Sequence, residues 1–193
     1  MPPHPPAALR PPEGGAAALV VIDIQEKLAP AMDGAAFARC HRAVRTLVEV
    51  ARWKKWRVVA TEQYPKGLGR TIPDLASDLA EVGAGPALEK TAFSACGAEG
   101  FAERLGPDVT AAILVGMEAH VCVHETALDL LARGLAVFVP WDGIASRREE
   151  DRANALASLR QAGAIVTSSE TLAFQAAGRA GTPEFKAISA RVR

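Results

Sequence analysis

Asp23, Lys90 and Cys122 are far apart along the chain, and together they carry the functional groups of covalent hydrolysis: a carboxylate, an ammonium and a thiol. Cys122 lies in "AAILVGMEAHVCVHETALDLLARG", where an apolar run gives way to a helical pattern, flanked by His120 and His124. Three readings compete: an inert core thiol, a metal ligand, or a nucleophile. Cysteine is a common small hydrophobe of protein interiors, and His–Cys–His is a conceivable zinc set. A thiol at a helix N-terminus beside a cation is a candidate nucleophile, because the dipole and the charge both favour thiolate.

Geometry weighs against the metal. If Cys122 opens a helix, side chains two residues apart diverge by about 200° around its axis. His120 and His124 share a face only if the helix already begins before His120. Asp23 taken singly could cap the next helix, and Lys90 taken singly is a surface lysine like most others. The functional reading rests on bringing the three together.

The elements that must do so are legible as a βαβ series. Short apolar runs at Ala18–Ile22, Val58–Thr61, Ala87–Glu89, Thr110–Val115, Ala136–Val139 and Ala164–Thr167 read as strands. Between the first two, Phe37, Cys40, Val44, Leu47, Val48 and Ala51 recur at helical spacing. Val123–Arg133 is a second amphipathic helix stopped by Gly134, and "REEDRANALASLRQAG" is a third, acidic at its start. "SSETLAFQAAG" and "TPEFKAISARV" close the chain as helices, the latter opened by Thr182 and Pro183. The expected fold is α/β: a three-layer α/β/α sandwich around a six-stranded, mostly parallel, Rossmann-like sheet. In such sheets ligands bind beyond the carboxyl ends of the strands, which is where Asp23, Lys90 and Cys122 fall.

Composition narrows the function classes. With 22 basic and 22 acidic residues the formal net charge is zero, which removes the electrostatic footprint of nucleic-acid binding. The apolar runs stay far below the roughly 18 residues of a membrane span. Cys40, Cys96 and Cys122 form no CxxC pair, so no disulfide framework or zinc ribbon is expected, and a cytoplasmic setting fits. Residues 1–15, "MPPHPPAALRPPEGG", are expected to be a disordered Pro-rich arm, with a single domain over 16–193.

The chain resembles the isochorismatase-like cysteine hydrolases through "ALVVIDIQEKL", "EKTAFSAC" and "LVGMEAHVCVHETALDLLARG". "ATEQYPKGLG" and "PEFKAIS" resemble the isochorismatase domain-containing subgroup. The resemblance implies a Cys122 nucleophile, an Asp23 general base and a Lys90 ammonium supporting the thiolate. It also implies a cis peptide at Met117–Glu118, which with the Cys122 N–H would serve the oxyanion. Homo-oligomerisation and a small-molecule amide or related C–N substrate follow from the same resemblance. Gln25, Glu62, Gln63, Tyr64 and Phe93 are the candidate pocket residues.

Two departures sharpen this. Nicotinamidases carry a metal-binding Asp and His pair after the second strand, whereas "TEQYPKGLGR" has no histidine, so no catalytic metal or other cofactor is expected. Vinyl-ether-cleaving isochorismatases lack the cysteine that is present here. The "SAF" of many relatives reads "SAC" at Ser94–Cys96, exchanging an aromatic for a thiol. The remaining alternatives are a silent binding or scaffold protein that keeps the fold without turnover, and a redox pairing of Cys96 with Cys122.

Overall fold

In a computed structural model, which describes residues 10–191, β1 (Ala17–Ile22) is apolar and buried at every position. A strand of that kind must be covered on both faces, and alternation divides its residues between two cores. Ala17, Leu19 and Val21 join one core with Val44, Leu47 and Leu75, whereas Ala18, Val20 and Ile22 join the other with Phe101, Val123 and Leu159. Each buried Leu, Ile or Val side chain contributes about 1.5–3 kcal/mol by leaving water, so these cores fix the sandwich.

The sheet runs β3 (Leu88–Lys90), β2 (Arg57–Gln63), β1, β4 (Ala111–Met117), β5 (Ala136–Pro140), β7 (Ile165–Thr167), with every described pairing parallel. A two-residue strand, β6 (Ile144–Ala145), pairs with the end of β4. The sheet thus has seven strands, one more than expected, because two residues carry no periodicity to read.

One face is covered by α1 (Gly34–Lys54), α3 (Pro73–Glu81), α7 (Ser169–Ala177) and α8 (Pro183–Arg191). The other is covered by α4 (Phe101–Leu105), α5 (His124–Ala132) and α6 (Glu149–Ala162). A single turn, α2 (Pro65–Leu68), follows β2. The short helices α2, α3 and α4 were not anticipated. α1 starts where Asp33 accepts a hydrogen bond from Ala36 N at 2.9 Å and ends at Lys55, in left-handed conformation. α8 starts as its sequence suggests, with Phe185 N donating to Thr182 Oγ1 at 3.1 Å.

Strand order reverses between β1 and β4, so a crevice opens beyond their carboxyl ends. Gly116 makes the join possible. It pairs with Ile22 at φ +118°, and a Cβ there would lie 2.0 Å from the Ile22 carbonyl oxygen. No side chain fits, and the end of β4 is thereby held against the end of β1.

Of the expected arm, residues 1–9 lie outside the described residues. Residues 12–15 are tied to the domain: Trp56 Nε1 donates to the Pro12 carbonyl at 3.2 Å, and Lys54 pairs with Glu13 at 2.6 Å. Among the described residues no helix is long and apolar enough to cross a membrane.

Candidate active site

Four strand ends supply the site. Asp23 follows β1 with φ 54°, a conformation that Asp tolerates better than most residues. Lys90 and Gln63 end β3 and β2 and pair in register, and the turn carrying Cys122 follows β4. Asp23 and Lys90 are buried to 0% side-chain exposure and form an ion pair at 2.8 Å.

The pair is closely satisfied. Thr61 Oγ1 donates to Asp23 Oδ1 at 2.7 Å while Lys90 Nζ donates to Oδ2. Lys90 Nζ also meets Gln63 Oε1 at 2.6 Å, the Phe93 carbonyl at 3.0 Å and the Ala92 carbonyl at 3.3 Å. An ammonium has three protons for these four acceptors. The Cys122 sulfur lies 4.0 Å from Gln63 Oε1.

This environment holds the thiol protonated, contrary to the expectation of an easily formed thiolate. Burial pushes the Cys122 thiol up to about 12; the Asp23 carboxylate pushes the same way, and Lys90 only partly opposes them. The ammonium was expected to dominate, but Asp23 neutralises it first. Nor does Cys122 open α5. It is the fourth residue of a helical run that begins with a π-helical turn over Ala119–Val123 and continues into α5.

Because that turn begins before His120, the two histidines share the side facing α6. His120 Nδ1 lies 2.9 Å from Ser146 Oγ and its Nε2 lies 4.0 Å from Asp151, while His124 Nε2 lies 2.9 Å from Ser158 Oγ. Neither histidine lines the cavity at Cys122. Thr126 anchors the turn: its hydroxyl donates to the Cys122 carbonyl at 2.6 Å and accepts from Ala95 N at 2.9 Å. The Met117–Glu118 peptide is cis.

A cavity of about 370 Å³ lies over the sulfur. Asp23, Gln63 and Cys122 reach it from below, and Leu28, Ala31, Leu68, Phe93 and Val121 give it apolar walls. Lys27, Glu118 and Arg147 add charge; Lys27 and Arg147 were not singled out from the sequence, since an isolated cation in a loop carries no pattern. Of the anticipated pocket residues, Gln63 and Phe93 are on this lining.

Gln25, Glu62 and Tyr64 are not. Gln25 is fully buried, with its amide accepting from Gln63 N at 2.8 Å and donating to the carbonyls of Gln63 and Gly69 at 3.0 and 2.7 Å. It clamps the backbone that carries Gln63. Glu62, one residue earlier on β2, projects to the opposite face. There it accepts from Thr71 N at 2.7 Å, Thr71 Oγ1 at 2.8 Å and Arg70 Nη1 at 2.9 Å. Tyr64 is 54% exposed and lines a neighbouring depression with Lys66 and Glu99. Cys96 is half-buried in the turn after Ser94, and burial raises its thiol as well.

The donor set does not suit a metal of the nicotinamidase kind. The loop after β2 offers no histidine, and both Glu62 oxygens are committed to Thr71 and Arg70. Among the described residues no cluster of three His, Cys, Asp or Glu side chains is arranged to hold an ion.

Comparison with known proteins returns one consistent result. Residues 17–171 match the isochorismatase domain family. The chain is 39% identical to human isochorismatase domain-containing protein 2 over 191 residues, covering 97% of this chain and 90% of that one. The solved structure of a protein named MAR1 ribonuclease from Caenorhabditis elegans superposes with a TM-score of 0.84 at 40% identity, covering 94% of this chain and 92% of that one. A Staphylococcus aureus nicotinamidase shares the fold at 18% identity and a TM-score of 0.68, over 79% of this chain and 98% of its own.

Proposed function

The chain belongs to the isochorismatase family, with an isochorismatase-like hydrolase fold, and from that premise we propose that it is a metal-independent cysteine hydrolase of a small-molecule amide or related C–N bond. One observation carries the proposal: a buried carboxylate, already paired with an ammonium, faces a protonated thiol at the base of a cavity of about 370 Å³. A thiol held protonated needs a base at the moment of attack, and Asp23 is the base within reach.

The Cys122 sulfur attacks the carbonyl carbon while its proton passes to Asp23, and the carbonyl π pair moves onto oxygen. N–H groups of the turn after Glu118, that of Cys122 among them, stabilise the oxyanion. Collapse breaks the C–N bond, and Asp23 returns the proton to the departing nitrogen. Water then attacks the thioester, Asp23 takes its proton, and the sulfur leaves and is reprotonated. Lys90 holds the Asp23 carboxylate through their ion pair and offsets negative charge on sulfur. Gln63 holds Lys90, and Phe93 walls the acyl group.

The raised thiol also favours a second reading, a silent member that binds small molecules without turnover. Ribonuclease activity, which the name of the nematode relative carries, suits this cavity less well. Metal-free RNA cleavage needs a base for the 2′-hydroxyl and a polyanion-binding face, whereas this chain has no net charge. Incubation with a panel of small primary amides and with a mixed-sequence RNA separates the readings. An acyl adduct on Cys122, trapped by hydroxylamine together with ammonia release, is the expected result; RNA cleavage, or full turnover by Cys122→Ser, contradicts it. The protein is further proposed to act in the cytoplasm, a reading supported by its three unpaired cysteines, and as a homo-oligomer, supported by the exposed Leu128, Trp141 and Phe174 side chains; sedimentation velocity tests the assembly.

A further inference from the structure

The rim of the cavity is charged asymmetrically. Glu118 and Arg147 neutralise each other: Glu118 Oε1 accepts from Arg147 N at 3.1 Å and from Arg147 Nε at 3.0 Å. Deeper in, Asp23 and Lys90 do the same. Lys27 is left over, since among the described residues it forms no ion pair, and it lines the same cavity as Cys122.

Its backbone is fixed. Lys27 N donates to the Leu68 carbonyl at 3.0 Å, Glu26 N donates to the Arg70 carbonyl at 2.9 Å, and Leu28 N donates to the Gln25 carbonyl at 3.1 Å. The Gln25 amide ties this loop to Gly69 as well. The adjacent carboxylate, Glu26, is turned to the segment beyond α2, where it accepts from Arg70 N at 3.3 Å. The result is an uncompensated ammonium on a rigid base, one residue before the apolar wall residue Leu28.

We propose that Lys27 is a specificity residue that receives an anionic group of the substrate, so that the preferred substrate is a small amide carrying a carboxylate or similar monoanion beyond its scissile bond. The identification of the substrate as an amide rests on the hydrolase reading above; the recognition of negative charge by Lys27 does not. An anion over Lys27 would leave the rim without net charge, and the apolar walls would cover the substrate's body. A neutral amide of the same size would leave Lys27 unmatched.

Alkylation of Cys122 tests the charge preference without a known substrate. Iodoacetate and iodoacetamide place a carboxylate or a neutral amide at the same distance from the attacking sulfur, and their rate ratio cancels the thiolate fraction. Rates at Cys122 are followed by peptide mass mapping of the intact chain at pH 9 and normalised to mercaptoethanol. The wild type is expected to favour iodoacetate by roughly tenfold, an advantage that salt screens. Lys27→Met should abolish the preference and Lys27→Glu should invert it, with the melting temperature unchanged. An unaltered ratio in Lys27→Met, or loss of the preference in Arg147→Met instead, would overturn the assignment. Hydroxylamine trapping with neutral and carboxylate-bearing amides reads the hydrolase proposal separately. Absence of any acyl-enzyme alongside a Lys27-dependent alkylation ratio would sink that reading and leave the anion site standing.

Discussion

Two carboxylates near the ends of adjacent strands, Asp23 and Glu62, are both buried and both paired with a cation, yet they serve different ends. Glu62 meets two donors from Thr71 and one from Arg70. Burial alone would raise its pKa, but these bonds outweigh it and hold the group below the usual carboxylate range. Asp23 has Thr61, Lys90 and a thiol instead, and the cost of crowding appears on the sulfur, which is pushed up to about 12. A carboxylate saturated by fixed donors locks a loop; one that still faces a proton donor can move a proton.

The largest expected effect breaks the inner pair. Lys90→Met leaves the buried Asp23 carboxylate without its cation, which should cost about 3–5 kcal/mol in urea denaturation, and Asp23→Asn/Lys90→Met should recover most of it. Glu62→Gln should cost less, about 1–3 kcal/mol, because Thr71 keeps an oxygen acceptor and Arg70, which loses Glu62, keeps its ion pair with Glu89 at 2.6 Å. Cys122 alkylation should be unchanged in that variant, as expected of a locking group. A Glu62→Gln variant with altered thiol reactivity would erase the distinction between the two regions.

The regions should also respond at opposite ends of the pH scale. The lowered Glu62 pKa contributes stability above its unfolded value of about 4.5, and that contribution is lost as pH falls through the folded value. The raised Cys122 pKa contributes below the unfolded value of 9.0 and is lost as pH rises towards about 12. Denaturation across pH should therefore show Glu62→Gln flattening the acid limb and Cys122→Ala flattening the alkaline one. A smaller effect, about 1 kcal/mol, is expected for Thr126→Val, which strands the buried Ala95 N–H.

The sheet was legible because β1 and β4 are continuous apolar runs and α1 repeats at helical spacing, signals that burial on two faces imposes. β6 was not, since Ile144–Ala145 is too short to carry a period. Asp23, Lys90 and Cys122 were found by the rule that strand carboxyl ends converge. The roles of Gln25 and Glu62 were not, because their partners lie 44 and 9 residues away and which face each side chain takes depends on where β2 ends. It runs to Gln63, two residues beyond the expected stop, and this registers Gln63 opposite Lys90. The direction of the Cys122 shift was missed for a related reason: the sequence brings a lysine and a carboxylate to the thiol, but it does not show how deeply the sulfur is buried, which is the largest cause of its rise, or that the carboxylate has already paired with the lysine.

Alkylation of Cys122 by iodoacetamide as a function of pH, in wild type and Asp23→Asn, tests this coupling most directly. The wild-type thiol should titrate well above an ordinary cysteine, and Asp23→Asn should bring it down, because the raising carboxylate is gone and Lys90 is no longer neutralised, even as acyl-enzyme formation is lost for want of a base. A thiol that titrates at the same pH in both proteins would contradict the proposal that Asp23 governs the Cys122 proton.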